Sequence, residues 1–173
     1  MQAVYKFTIL IFLLMSVASC TAVNSSVGGL LNLDTDLEIS FVVKPDLNPD
    51  DRKVASPLIV RLYQLKSDTI FVRSNFIDLY ERDKEILGET LVSSQKLKRI
   101  KPGESRNESF VLNDDTRFIG LYAEFLQYKT AAFKVIMPVV PHNIVSTKAR
   151  VVLNGNTMTL IKEDSTPPPA DSN

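Results

Sequence analysis

Leu37-Glu38-Ile39-Ser40-Phe41-Val42-Val43-Lys44 sets the pattern of this chain. Leu37, Ile39, Phe41 and Val43 recur at every second position, with Glu38, Ser40 and Lys44 opposite them. Successive side chains of an extended strand point to opposite faces, so the alternation predicts a strand with one face buried and the other wet. Leu58–Leu65 repeats it, with Leu58, Val60 and Leu62 set against Arg61 and Tyr63. Glu104–Leu112 is a third such run, weaker on its polar side, and Thr90–Ile100, closed by Pro102-Gly103, is another. Phe118–Gln127 is nearly apolar on both faces, as a central strand would be. Ala132–Val139 follows, ended by Pro138 and Pro141. Ser146–Leu153 and Thr157–Ile161 flank Asn154-Gly155-Asn156. Asn-Gly between two alternating runs predicts a tight hairpin, because both residues tolerate positive φ.

One segment departs from period two. Between Asp68 and Glu81 the apolar residues Val72, Phe76, Leu79 and Tyr80 follow the spacing of an amphipathic helix. Ser67 and Asp68 are candidate caps for its start, and Ser74-Asn75 is a candidate break into two pieces. About eight short strands with one helical excursion predict an all-β fold, a two-sheet β-sandwich with a short helical insertion between strands 2 and 3.

The ends of the chain read differently. Lys6 precedes an apolar run from Phe7 to Val17, then Val17-Ala18-Ser19-Cys20. The run is too short to span a bilayer but suits the core of a secretory signal peptide. A signal closing on small residues before a cysteine resembles the lipobox of bacterial lipoproteins. That resemblance implies cleavage before Cys20 and lipid attachment to it, with several acyl chains making a lasting anchor. Cys20 is the only cysteine, so no disulfide partner competes for it. Thr21, not an aspartate, follows it, which implies sorting to the outer membrane and its periplasmic face. Residues 1–19 are then the signal peptide and residues 20–36 a lipidated cysteine with a flexible linker containing Gly28-Gly29. Residues 37–162 form the sandwich domain, and residues 163–173, with Pro167-Pro168-Pro169, a disordered or extended tail.

The composition argues against several functions. Lys6 is the only charge in the signal, which leaves 19 basic and 20 acidic residues in the mature chain, and no basic patch interleaved with aromatics suggests nucleic acid. His142 is the sole histidine and sits in a turn, Pro141-His142-Asn143, with no Gly-x-Ser-x-Gly elbow in the chain. There is no Cys/His cluster for zinc, and Asp50-Asp51 and Asp114-Asp115 are adjacent pairs whose side chains diverge in an extended chain. The sequence therefore offers no positive sign of catalysis, of a metal, or of a cofactor beyond the lipid on Cys20.

What remains is binding. The connection Pro45–Ser56 (PDLNPDDRKVAS) is long for a hairpin, and long connections in compact domains are commonly functional or disordered. It mixes prolines with one apolar leucine and charges of both signs. It reads either as a variable surface loop or as a semi-rigid recognition loop.

Several motifs in order now resemble one family. Pro57-Leu58-Ile59-Val60-Arg61-Leu62-Tyr63-Gln64-Leu65 is similar to the second-strand signature of the type VI secretion outer-membrane lipoproteins, the TssJ/VasD (SciN-like) family. Phe71 and Phe76-Ile77-Asp78-Leu79-Tyr80, the turns Leu87-Gly88 and Pro102-Gly103, the strand Phe118-Ile119-Gly120-Leu121-Tyr122-Ala123-Glu124-Phe125, and the hairpin Val151–Asn156 follow in the family's order. The likeness covers about residues 37–162 and the lipobox. Many members carry Trp and Arg after the Ala-x-Phe strand; this chain has no Trp, and Phe133-Lys134 stand there.

The resemblance implies a transthyretin-like sandwich that ties the secretion apparatus to the outer membrane. It would do so by holding the periplasmic C-terminal domain of a TssM/IcmF-type inner-membrane protein. The contact loop of the family maps onto Pro45–Ser56, with Asp46, Leu47, Asn48, Pro49, Asp50, Asp51 and Arg52 as the partner-binding residues it implies. Leu47 is expected there as a small apolar anchor, with Asp50, Asp51 and Arg52 as polar partners. No small-molecule substrate is implied. The alternative is a periplasmic ligand- or carbohydrate-binding lipoprotein on the same sandwich. It would need an aromatic-lined cleft, and the chain has nine Phe, five Tyr and no Trp.

Overall fold

The computed structural model describes residues 35–139 and 147–162. Cys20, the linker up to residue 34, His142 and the proline-rich tail lie outside the described residues. Two four-stranded sheets form the fold. The first has the order β4-β1-β7-β8, built from β1 (Thr35–Val43), β4 (Arg106–Leu112), β7 (Thr147–Asn154) and β8 (Thr157–Lys162). The second has the order β3-β2-β5-β6, built from β2 (Val60–Leu65), β3 (Leu91–Lys96), β5 (Phe118–Ala123) and β6 (Lys134–Pro138). All pairs are antiparallel except β1 with β7, where Leu37 faces Thr147 and Val43 faces Leu153.

The alternation read from the sequence is what closes the sandwich. Leu37, Ile39, Phe41 and Val43 point inward and meet Val60 and Leu62 of β2 and Ile119, Leu121 and Ala123 of β5. The other face of β2 and β5 is also apolar, and a helical layer covers it. Tyr63, Leu65 and Tyr122 pack there against Phe71, Phe76, Leu79 and Leu87. β5 is therefore central and buried on both faces, as its composition required.

The helical insertion is two helices, α1 (Thr69–Arg73) and α2 (Phe76–Leu87). The break falls at Ser74-Asn75: Ser74 is extended (φ −65°, ψ 140°), and the Asn75 side chain accepts the Asp78 N–H at 2.9 Å as the cap of α2. Asp68 stands at the start of α1 without a side-chain cap bond, and α2 runs past Glu81 to Leu87, bent at Arg82. Strands β2 and β5 are shorter than their apolar runs. Leu58 makes only an isolated bridge to Ile100, and β5 stops at Ala123, where the Glu124 N–H turns to bond the Ile59 carbonyl at 2.9 Å. In the hairpin Asn154 pairs Thr157, so the two-residue turn is Gly155-Asn156, one residue later than the Asn-Gly pair suggested. Gly155 alone takes positive φ there (53°), which is the requirement of a turn with glycine in its first central position. Pro138 is the last residue of β6, an edge strand, and pairs with Phe118.

Registers place the ends of the molecule. β1 enters at Thr35, beside Leu112 of β4, and β8 leaves at Lys162, beside Ala149 near the start of β7. Both termini of the described domain thus emerge at one end. The connection after Val43 lies at the other, about 27 Å away along nine residues of strand.

Candidate functional site

The long connection between β1 and β2 is a folded element. Leu47 is fully buried in the sandwich core, where it touches solvent no more than Ile39 does. It cannot serve as a surface anchor; it pins the loop to the core instead. Asn48 is also buried, with φ at +49°, a conformation asparagine tolerates better than most residues. Its Nδ2 donates to the Pro57 carbonyl at 3.1 Å and its Oδ1 accepts the Leu126 N–H at 2.8 Å. Its own N–H bonds the Gly155 carbonyl at 2.7 Å. Asn48 therefore joins three segments and is not a free contact residue.

Asp50 organises the loop tip. Its Oδ1 accepts the N–H groups of Arg52 and Val54, each at 2.9 Å, and its carbonyl accepts Gln127 Nε2 at 3.0 Å. A carboxylate taking two backbone N–H groups holds the turn through which Lys53 passes at φ +62°. Of the seven expected contact residues, Asp46, Asp51 and Arg52 are exposed and Pro49 and Asp50 half-buried. The loop presents its charges from a fixed backbone.

A second loop, residues 124–131, stands beside it, and sequence reasoning missed its contribution. Leu126 is 56% exposed. Together with Ile77, Tyr80, Phe76 and Tyr128 it lines a groove of about 450 Å³, to which Asn48 also contributes. Phe76 stacks on Tyr128 at 4.5 Å and on Tyr80 at 6.0 Å. The only sequence signal was a large apolar residue at the end of a strand-like run, indistinguishable from strand continuation.

The residues of the second-strand motif build the support. Arg61 leaves β2 toward α2, where its Nε donates to Glu124 at 2.7 Å and its Nη1 to Asp83 and the Leu79 and Tyr80 carbonyls, each at 3.2 Å. Its guanidinium lies 5.5 Å from the Tyr80 ring centroid and 5.6 Å from that of Tyr122. Tyr63 donates to the same Asp83 oxygen at 2.8 Å. Burial opposes the Arg61 charge, but the bond to Glu124 and the nearby anionic groups outweigh it and hold its pKa above the ordinary arginine value. Burial first, then the bond to Asp83, pushes the Tyr63 hydroxyl well above the ordinary tyrosine value, and burial does the same at Tyr122. Lys134 reaches the end of α1 and donates to the carbonyls of Phe71 (2.9 Å), Val72 (2.7 Å) and Ser74 (2.5 Å). An ammonium at a helix C-terminus is favourably placed, although burial lowers its pKa. Phe133 packs edge-on against Phe76 at 5.2 Å. Phe133-Lys134 thus close the helical layer.

Among the described residues no group of three or more His, Cys, Asp or Glu is placed to hold a metal, and no helix is long and apolar enough to cross a membrane. The charges described above sit in structural ion pairs or on the loop surface. The class these features define is a transthyretin-like β-sandwich that carries a helical layer on one sheet and a rigid loop at the end away from its termini. The chain belongs to the family described as Type VI secretion lipoprotein, VasD, EvfM, TssJ, whose model matches residues 35–156. Among solved structures it is similar to the T6SS lipoprotein TssJ1 from Pseudomonas aeruginosa, at 27% identity, with a TM-score of 0.69, over 77% of this chain and 99% of that one. A chain of a structure described as a type VI membrane complex matches at 25% identity and TM-score 0.64, over 73% of this chain and 98% of that one. A chain in a structure described as the T6SS protein TssM C-terminal domain from EAEC shares the fold, with 20% identity and TM-score 0.61, over 76% of this chain and 100% of that one. A search of curated proteins returns no match.

Proposed function

We propose that this chain is a non-enzymatic tether of the type VI secretion envelope complex. Lipid on Cys20 fixes it to the periplasmic face of the outer membrane, and the sandwich binds the periplasmic C-terminal domain of a TssM/IcmF-type inner-membrane protein. No cofactor or small-molecule substrate enters this role. The observation that carries it is the prefolded loop at the end of the sandwich opposite the termini, locked by Leu47, Asn48 and Asp50. A chain anchored through its N-terminus turns that end away from the membrane, toward a partner rooted in the other one. A rigid loop also loses little conformational entropy when it binds. Family membership and the likeness to a chain of a type VI membrane complex support the same reading.

The test is a titration of the soluble mature chain, starting at Thr21, with the partner's periplasmic C-terminal domain. The comparison variant is Asp51→Ala/Arg52→Ala, which leaves Asp50 in place because Asp50 holds the loop. The expected result is micromolar or tighter association, weakened in the variant with its melting temperature unchanged. Absence of association at micromolar concentrations sinks the partner assignment. A Cys20→Ser chain should leave the membrane fraction on expression; retention there would refute lipid anchoring at this residue.

A further inference from the structure

Among the described residues eight large hydrophobic side chains are exposed, and three of them, Ile77, Tyr80 and Leu126, line one groove. Its floor is aromatic: Phe76, Phe125 and Tyr128. Of its charged residues, Glu124 is already neutralised by Arg61 at 2.7 Å and Lys96 at 3.6 Å. Its other two charged residues, Glu81 and Arg99, have no ion pair among the described residues. The groove is continuous with the recognition loop. Asn48 belongs to both, and Leu126 and Tyr128 line both this groove and a second depression to which Asp51 of the loop tip contributes. The hydrogen bonds from Leu126 to Asn48 and from Gln127 to Asp50 make the two loops one rigid surface.

We infer that this groove is the apolar half of the partner interface: it takes a large aliphatic or aromatic side chain from a segment of the TssM-type domain, whose flanking charges meet Glu81 and Arg99. The inference rests on the partner reading above and adds to it the source of binding energy. The loop tip offers charges at its rim, and rim charges mainly set on-rate and specificity. Apolar anchors entering desolvated pockets supply most of the affinity. The loop's one leucine is held in the core and Val54 is its one large apolar side chain left exposed, whereas the groove beside it offers a receptor for a larger anchor.

The experiment is a titration of the partner's periplasmic C-terminal domain with the full mature chain carrying Leu126→Asp, Ile77→Asp or Glu81→Lys, each checked by thermal melting. Leu126→Ala serves as the milder variant should the aspartate disturb the fold. Val111→Asp is the control, because Val111 is 64% exposed on β4 near the opposite end. The expected result is a loss of affinity of about tenfold or more for Leu126→Asp and Ile77→Asp, a smaller loss for Glu81→Lys, and none for Val111→Asp. Groove variants that bind like the wild type, while Asp51→Ala/Arg52→Ala loses binding, would overturn this inference and leave the partner reading standing. A wild type that does not bind brings down both. Sedimentation showing that the groove instead mediates self-association, abolished by Leu126→Asp, would also overturn it.

Discussion

Replacing Arg61 with methionine should destabilise the domain by about 2–3 kcal/mol. Among the described residues Arg61 is the one cation that reaches Glu124, Asp83 and two carbonyls of α2 at once, and the three charged side chains are only 16%, 12% and 20% exposed. Removing one member of a buried charge pair costs about 3–5 kcal/mol, because the partner is left desolvated and unpaired. Here the cost is discounted. Glu124 retains Lys96 at 3.6 Å, and Asp83 retains the Tyr63 hydroxyl at 2.8 Å. Methionine keeps much of the aliphatic packing, so the loss reports mainly the charge and its hydrogen bonds. For a domain of this size that corresponds to a fall in melting temperature of about 10 °C. Thermal and urea unfolding of the soluble mature chain, followed by circular dichroism, measures it. Arg61→Lys should recover less than half of the loss, since an ammonium cannot fork between two carboxylates as a guanidinium does. Glu124→Gln should cost less in the Arg61→Met background than in the wild type, because the pair is then already broken. An Arg61→Met chain within about 0.5 kcal/mol of wild type, or full rescue by lysine, would refute the account of the network.

Three further outcomes follow from the packing. A Cβ on Gly120 would lie 2.8 Å from Cζ of the buried Phe71 ring, so Gly120→Ala should cost about 1–3 kcal/mol in urea unfolding, and adding Phe71→Leu should recover part of it. A double mutant no better than Gly120→Ala alone would show that the ring is not the obstacle. Leu47→Ala should cost about 2–4 kcal/mol and raise hydrogen exchange at Asn48 and Ser56, whose backbone groups fix the loop; unchanged exchange there would mean that the loop is held without Leu47. Stability should also fall at high pH. Tyr63 and Tyr122 hold their protons above the ordinary tyrosine value of 10.0 in the folded state. The unfolded chain therefore ionises first, and the stabilisation, complete below about pH 10, declines as the pH rises past it. Lys134, with its pKa lowered, acts in the opposite sense, gaining stability as the pH climbs toward 10.5. Tyr122→Phe should flatten the decline, and an unchanged slope in urea titrations between about pH 8 and 11 would count against it.

The sandwich was legible because one physical rule covers it. Leu37, Ile39, Phe41 and Val43 alternate because β1 has one face in the core and one in water, and β5 does not alternate because a sheet and a helical layer cover it on both sides. Helix α2 was legible up to its bend, and the break at Ser74-Asn75 was visible as residues that prefer caps to helix interiors. Leu47 was misread for a physical reason. A single leucine in a charged, proline-bearing loop has no periodicity to betray its direction, and only the fold reveals that it points inward. Asp50 looked like a contact residue because an aspartate that holds a turn and one that awaits a partner are identical in sequence.

The same limit explains why the candidate face could not be read from one segment. It is assembled from α2, from the connection between β1 and β2, from the turn after β5 and, through Arg99, from the connection between β3 and β4, four stretches that lie far apart along the chain. What brings them together is the support beneath. Arg61 ties α2 to Glu124 at the start of the turn, and Asn48 ties the turn to the loop. Arg61 therefore acts on the face without standing in it. Its substitution should loosen α2 against the 124–131 turn, and with it the groove, before it alters the loop tip, which Asp50 holds independently. Hydrogen exchange on Arg61→Met separates the two: faster exchange in α2 and at Leu126 with Arg52 and Val54 still protected is the pattern this construction requires, and equal loss of protection at both would mean that the face is a single cooperative unit.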